Sequence, residues 1–252
     1  MLTVRDVYDV IDAFAPFATQ AEYDHSGLQV GDMDAPCTGV LAAVDLDEGV
    51  IEEALRLGCN VIVTHHPFIW SPLGGLTEQV YAQRLVRKLV RADLHYIAAH
   101  TNVDKCPGGN SESMIRLLGG VPTGCMEEDE FALTFEIPAV RLSELVKRAR
   151  NVLDDPFVYG VGADDLLTHG ALCTGAGAMD RVIEACVRKG WVYVSGEFKE
   201  HQLRLVAATC GHLVSFGHFT SEKIFVTIIK ECLEKAGVPC YASQQEDPCR
   251  HD

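Results

Sequence analysis

Three short stretches of β-branched and small apolar residues run directly into histidines. Val61-Ile62-Val63-Thr64 leads into His65-His66, Tyr96-Ile97-Ala98-Ala99 into His100, and Leu213-Val214-Ser215-Phe216 into Gly217-His218. Apolar runs this short and continuous, separated by amphipathic segments, read as buried parallel strands joined by crossover helices. In a parallel sheet the carboxyl ends of the strands lie along one edge, where ligand sites form. Histidines far apart in sequence can therefore meet, and the chain is expected to be an α/β protein.

The rest of the sequence fits that expectation. Candidate strands fall at 39–44, 60–64, 94–99, 130–137, 172–174, 191–195 and 213–216. Candidate helices fall at 4–15, 49–57, 79–92, 112–118, 142–151, 179–189, 198–208 and 222–236. Thr3 with Asp6 reads as a capping box for the first helix, whose apolar Val4, Val7, Tyr8, Ile11 and Phe14 recur at helical spacing up to Pro16. A helix starting there is expected to leave no room for a signal peptide, and no apolar run approaches the roughly 20 residues of a membrane span. The expected location is a reducing cytoplasm.

A break in the pattern at 119–130, where two glycines, Pro122, Gly124 and an acidic run from Glu127 to Glu130 follow one another, reads as a solvated linker. The polar tail after Pro239 is expected to fray. The ten cysteines contain no Cys-x-x-Cys pair, which argues against zinc ribbons and redox motifs and for reduced, buried thiols. A formal net charge of −15 repels a phosphate backbone, so direct binding of nucleic acid is not expected.

The chemistry is expected at the strand ends. Neighbouring residues of a regular strand point to opposite faces, so an adjacent His pair inside one could hardly serve a common ion. Pro67 stops the strand after His65-His66, and each imidazole is then able to turn toward one of two neighbouring ions. Asp104, four residues past His100 on a loop over the sheet edge, is the natural bridge between two cations, with His100 either a ligand or a group that holds one. Ser221 reads as a helix N-cap that puts Glu222 in a first turn.

Each of these residues alone has a plain structural use. Their coincidence at three strand ends favours ligation by His65, His66, Asp104, His218 and Glu222. Glu197, at the end of another candidate strand, and His201 and His100 are candidates to move protons. His25 is a candidate for the pocket wall, and Gly175-Ala176-Gly177 reads as a tight strand-to-helix turn. His95, His169, His212 and His251 read as structural or exposed.

In order along the chain, Gly27-Leu28-Gln29-Val30-Gly31-Asp32, His65-His66-Pro67, His100-Thr101-Asn102-Val103-Asp104 with Gly108-Gly109-Asn110, Gly175-Ala176-Gly177, Ser195-Gly196-Glu197, and Gly217-His218 with Ser221-Glu222 resemble the Nif-three-like proteins. These are also called GTP cyclohydrolase I type 2 homologues and dinuclear-metal-centre hexameric proteins. The resemblance implies two related α/β domains with mixed or mostly parallel sheets, the second inserted in the first, and expected limits of 1–126 plus 214–252 for one and 127–213 for the other. It implies two divalent ions, of zinc, manganese, iron or nickel, on His65, His66, Asp104, His218 and Glu222, and a ring of six subunits.

The chain has Tyr23-Asp24-His25-Ser26 where the family commonly shows Trp-Asp-Asn, a departure at the pocket wall rather than at the ligands. The expected function is a metal-dependent hydrolase of a nucleotide-like or phosphorylated small molecule. The alternative is a metal-binding regulatory or delivery protein without turnover.

Overall fold

The computed structural model describes residues 1–249, so His251 and the last of the polar tail lie outside the described residues. The chain begins with α1 (Val4–Phe14), β1 (Gly27–Val30), β2 (Val40–Ala43), α2 (Glu48–Leu57), β3 (Val61–Thr64), α3 (Tyr81–Arg91), β4 (His95–Ala98) and α4 (Thr101–Lys105). It continues through α5 (Asn110–Leu117), β5 (Val121–Met126), β6 (Asp129–Arg141), α6 (Leu142–Leu153), β7 (Tyr159–Val161), β8 (Leu166–Cys173), α7 (Asp180–Lys189), β9 (Val192–Ser195), α8 (Glu200–Ala208), β10 (His212–Ser215) and α9 (His218–Glu222). It closes with α10 (Ile224–Lys235) and β11 (Cys240–Ala242).

Two compact units result, the first made of Met1–Cys106 with Phe225–Asp252 and the second of Pro107–Ile224. The second is thus inserted into the first. The crossings do not fall at 126 and 213. β5 pairs with β6 in a hairpin, which commits residues 107–126 to the second unit, and β10 pairs with β9 and β7, which holds the residues around 214 there. The acidic run is accordingly a hairpin turn rather than a linker, with Asp129 and Glu128 meeting Arg181 and Arg188.

The sheet of the first unit has the order β1-β4-β3-β2-β11, parallel except for β1, which runs antiparallel along β4. Every residue of β2 and β3 is buried, as expected of strands covered on both faces. Leu41, Ala43, Ile62, Tyr96 and Ala98 project into one core with Val50, Ile51, Leu85 and Leu89 of α2 and α3. Helix boundaries follow their caps: Thr3 and Asp6 form the expected box at α1, Asp47 accepts from the Val50 N–H at α2, and Gly58 at φ +72° ends α2 in the left-handed conformation. The tail does not fray over its described part: β11 pairs in parallel with β2, and Gln245 bonds to Asp45 and Asp47.

The second unit has a mixed sheet in the order β5-β6-β8-β9-β10-β7, with β8, β9 and β10 parallel and the others antiparallel. Its strands alternate between two cores. Val192 and Val194 face Phe135, Leu145 and Phe216, while Tyr193 faces Ile183, Cys186 and Leu213. No helix among the described residues is long and apolar enough to cross a membrane.

Candidate metal centre

In the first unit β3 and β4 are parallel neighbours, with Thr64 beside Ala98, so the residues that follow leave the sheet side by side. His65 is fully buried. Its Nδ1 donates to the Ala99 carbonyl at 3.2 Å, and its Nε2 lies 3.5 Å from Asp104 Oδ1. His66 Nδ1 lies 2.8 Å from Asp45 Oδ1, at the end of β2, while the N–H groups of His65 and His66 both reach the Val44 carbonyl.

Asp104 sits not on an open loop but on α4, a single helical turn whose Asp104 N–H returns to the His100 carbonyl. Asn102 fixes that turn, donating to the Ala15 carbonyl at 2.7 Å. A one-turn helix carries too few residues to show a sequence period, which is why it reads as loop.

Three residues that carried no role in the sequence reading organise this cluster. Tyr96, buried in β4, donates from its hydroxyl to the His66 carbonyl at 2.8 Å and accepts from the Phe68 N–H at 3.0 Å, fixing the turn through Pro67. Burial raises the Tyr96 phenol above its ordinary range, so it stays a donor. Asp24 accepts from His100 Nδ1 at 3.0 Å, from the Thr101 N–H and hydroxyl, and from the Ser26 hydroxyl and the His25 N–H. Burial alone would raise its carboxyl, but these bonds, led by those from His100 and Thr101, outweigh it and hold Asp24 far below the carboxylate range. Ser26 Oγ accepts the His100 N–H at 3.0 Å.

The departure at residues 23–26 is thus where His100 is held. His25 meets Trp70 ring edge to face at 5.4 Å, and Trp70 meets His100 at 5.8 Å, so a ring contact links His25 to His100 through Trp70. Gln29 explains part of the Gly-Leu-Gln-Val-Gly block, since its amide both donates to and accepts from the Ile69 backbone.

The second unit has a donor group of its own, again at parallel strand ends. The Phe216 and Gly217 N–H groups reach the Ser195 and Gly196 carbonyls, which carries His218 alongside Glu197, and His218 Nδ1 lies 3.3 Å from Glu197 Oε1. Glu222 closes α9 rather than opening the long helix behind it. At i and i+4 on that turn, His218 Nε2 and Glu222 Oε2 are 3.1 Å apart. Ser221 is therefore no cap. It is buried, accepting the Gly175 N–H at 2.9 Å and donating to the His218 carbonyl at 2.8 Å.

Gly175 has φ +61° and packs so closely on Glu222 that a Cβ there would overlap Oε1. The tight turn expected at Gly175-Ala176-Gly177 is present, and it seats a carboxylate. His201 is placed elsewhere: it is exposed on α8 and lies 3.3 Å from Asp180, which also draws Gln202. His95 and His212 are buried with Asp32 and Asp165 as partners.

Imidazole nitrogens and carboxylate oxygens at strand ends suit a borderline divalent cation, and the nitrogens of His65, His66 and His100 lie within 4.8 Å of one another. Fold and donors define a class: an α/β protein with one unit inserted in another and histidine–carboxylate groups, able to take a metal ion, at the strand ends. The chain belongs to the Duf34/NIF3 (NGG1p interacting factor 3) family, whose model matches residues 2–248.

It is 29% identical over 254 residues to a GTP cyclohydrolase 1 type 2 homolog of Lactococcus lactis, covering 97% of each chain. It is 25% identical over 243 residues to one from Clostridium acetobutylicum, covering 93% of this chain and 91% of that one. Among solved structures, Staphylococcus aureus protein SA1388 has the same fold, with a TM-score of 0.88 at 22% identity over 100% of this chain and 99% of that chain. So does the Bacillus cereus protein related to NIF3, with a TM-score of 0.85 at 20% identity over 99% of each.

Proposed function

We propose that the two donor groups serve one dinuclear centre, with His65, His66, Asp104, His218 and Glu222 as its ligands, and that the protein hydrolyses a nucleotide-like or phosphorylated small molecule there. The observation that carries this reading is the position of the two carboxylates in the chain. Asp104 stands just before the crossing at Cys106, and Glu222 just before the crossing at Ile224. Both connections between the units thus leave from a candidate ligand, as expected if the donors are shared. The name of the curated relatives, GTP cyclohydrolase 1 type 2 homolog, supports GTP as the first compound to try.

Two divalent ions held in this way would polarise a substrate oxygen and lower the pKa of a water. The protein's own part is to hold the donors still. Asp45 and the Ala99 carbonyl fix the tautomers of His66 and His65 with hydrogen on Nδ1, because a carbonyl or carboxylate oxygen only accepts. Glu197 does the same for His218 Nδ1, and it is the proton acceptor of this reading. His201, tied to Asp180, is left out. The family resemblance extends the reading to a ring of six subunits in the cytoplasm.

The test is elemental analysis of protein purified without added metal, followed by incubation with GTP and other phosphorylated compounds beside an Asp104→Ala control. Two ions per chain and product from the wild type alone are expected. Equal product from both proteins overturns the enzyme reading. Bound metal with no product from either leaves the regulatory or delivery alternative.

A further inference from the structure

Trp70 is a large aromatic left open to solvent beside the candidate donors of the first unit. Its side chain belongs to a residue 43% exposed, and its ring meets His25 at 5.4 Å and His100 at 5.8 Å. Both neighbours are steeply inclined to it, at 77° and 75°, so among the described residues no ring lies flat on the indole. A single exposed aromatic is ordinary on a protein surface. The frame around this one is what calls for an explanation.

One amide fixes the backbone on both sides of the ring pair. Gln29 Nε2 donates to the His25 carbonyl and to the Ile69 carbonyl, each at 3.0 Å, and its Oε1 accepts the Ile69 N–H at 2.9 Å. The residue before Trp70 is thus held at both of its polar backbone groups. Asp24 completes the frame, accepting the His25 N–H at 2.7 Å while it holds His100 Nδ1. Rings from residues 25, 70 and 100 are therefore placed before any ligand arrives, which removes the ordering cost that a mobile aromatic carries into binding.

Charge decides what such a rim suits. Among the described residues no lysine or arginine pairs with His25, Trp70 or His100, so a phosphate finds no counter-charge on these rings. The face of a neutral heteroaromatic ring needs none, since it stacks on an indole through its π-surface. The two fused rings of a purine match the two of an indole in area. His25 also stands where the family commonly has Asn, so this chain adds a ring to the rim in place of an amide.

We infer that Trp70, flanked by His25, is a stacking site for the base of a purine nucleotide, next to His100 and the candidate donors His65 and His66. The inference deepens the reading of a nucleotide-like substrate and rests on it. It assigns the base to the rings of the first unit and the reacting groups to the metal centre.

The chain has two tryptophans, so Trp191→Phe leaves Trp70 as the sole indole reporter. Guanosine, a base without phosphate, should quench the fluorescence of that full-length variant saturably, and ribose 5-phosphate, a phosphate without base, should not. By calorimetry Trp70→Ala should bind guanosine about 5–150-fold more weakly than the wild type. Trp70→Phe keeps a ring, guards against a folding artefact and should lose much less. His25→Asn should weaken binding about 2–10-fold. Metal content should stay unchanged in all three, and for GTP the Trp70→Ala change should raise KM by a larger factor than it lowers kcat.

No quenching by guanosine, equal quenching by ribose 5-phosphate, or equal guanosine affinity in the wild type and Trp70→Ala overturns the stacking site. So does a Trp70→Ala chain altered only in its oligomeric size, which would make the indole a subunit contact. The hydrolase reading fails separately, if guanosine binds as expected and the metal-loaded protein forms no product from GTP.

Discussion

The Tyr96 hydroxyl and the His66 carbonyl are joined by a 2.8 Å hydrogen bond across adjacent strands of the first unit's sheet. The same hydroxyl accepts from Phe68 and is 2.7 Å from Thr64 Oγ1, so one buried phenol ties down both sides of the His-His-Pro turn. Tyr96→Phe removes this hub while keeping the ring. The His66 carbonyl and Phe68 N–H lose a partner, for an expected loss of about 1–3 kcal/mol in urea unfolding. Metal affinity should fall with it, because the turn that sets His66 loosens. Unchanged stability together with unchanged metal content would refute the role given to Tyr96.

Gly175 makes a different kind of claim. Its φ of +61° strains any other residue, and an added methyl overlaps the Glu222 carboxylate with His218 Nε2 close by. Gly175→Ala should cost about 1 kcal/mol or more of stability. It should also lower the metal content of the protein without touching the first unit's histidines. Differential scanning calorimetry and elemental analysis on the same sample check both parts.

Thiol burial gives the protein an alkaline limit. Burial pushes Cys186 and Cys240 from the ordinary 9.0 up to about 12, and Cys59 up to about 11. Above about pH 9 the unfolded chain releases these protons while the folded chain keeps them, so stability present below that pH is lost as the pH rises toward the folded values. Melting temperature should therefore fall steadily above pH 9, and less steeply in Cys186→Ala. At neutral pH, iodoacetamide should label the exposed Cys125, Cys210 and Cys249 well before the buried thiols, a pattern that peptide mass mapping reads directly.

Metal removal should lower the melting temperature, because an ion bound only by the folded chain stabilises it by mass action. Prolonged dialysis against a chelator followed by zinc or manganese should lower and then restore it. A melting temperature indifferent to both treatments would argue against tight ligation.

The strand ends were legible because their signal is local. Val61 to Thr64 is a buried strand by composition, Pro67 shows where it must stop, and His65 and His66 follow without further information. Asp24 and Tyr96 were not legible, since their partners lie 76 and 30 residues away and nothing near either residue announces the pairing. Glu222 was read as a candidate donor but given the wrong setting: Ser221 resembles a cap, whereas Gly217 at φ +86° marks the actual start of the short turn. β5 and β11 went unread because edge strands pair on one side only, and Pro122 and Gly124 disguise the first of them.

β4 is the common ruler of the first unit's donors. Its Tyr96 sets the backbone of His66, the Ala99 carbonyl just past it orients His65, and His100 follows directly. A slip of one residue between β4 and β3 would turn Tyr96 to the opposite face and misplace all three imidazoles in a single event. The geometry of these candidate donors is therefore inherited as a block: a register error in this strand should displace His65, His66 and His100 together, not one at a time.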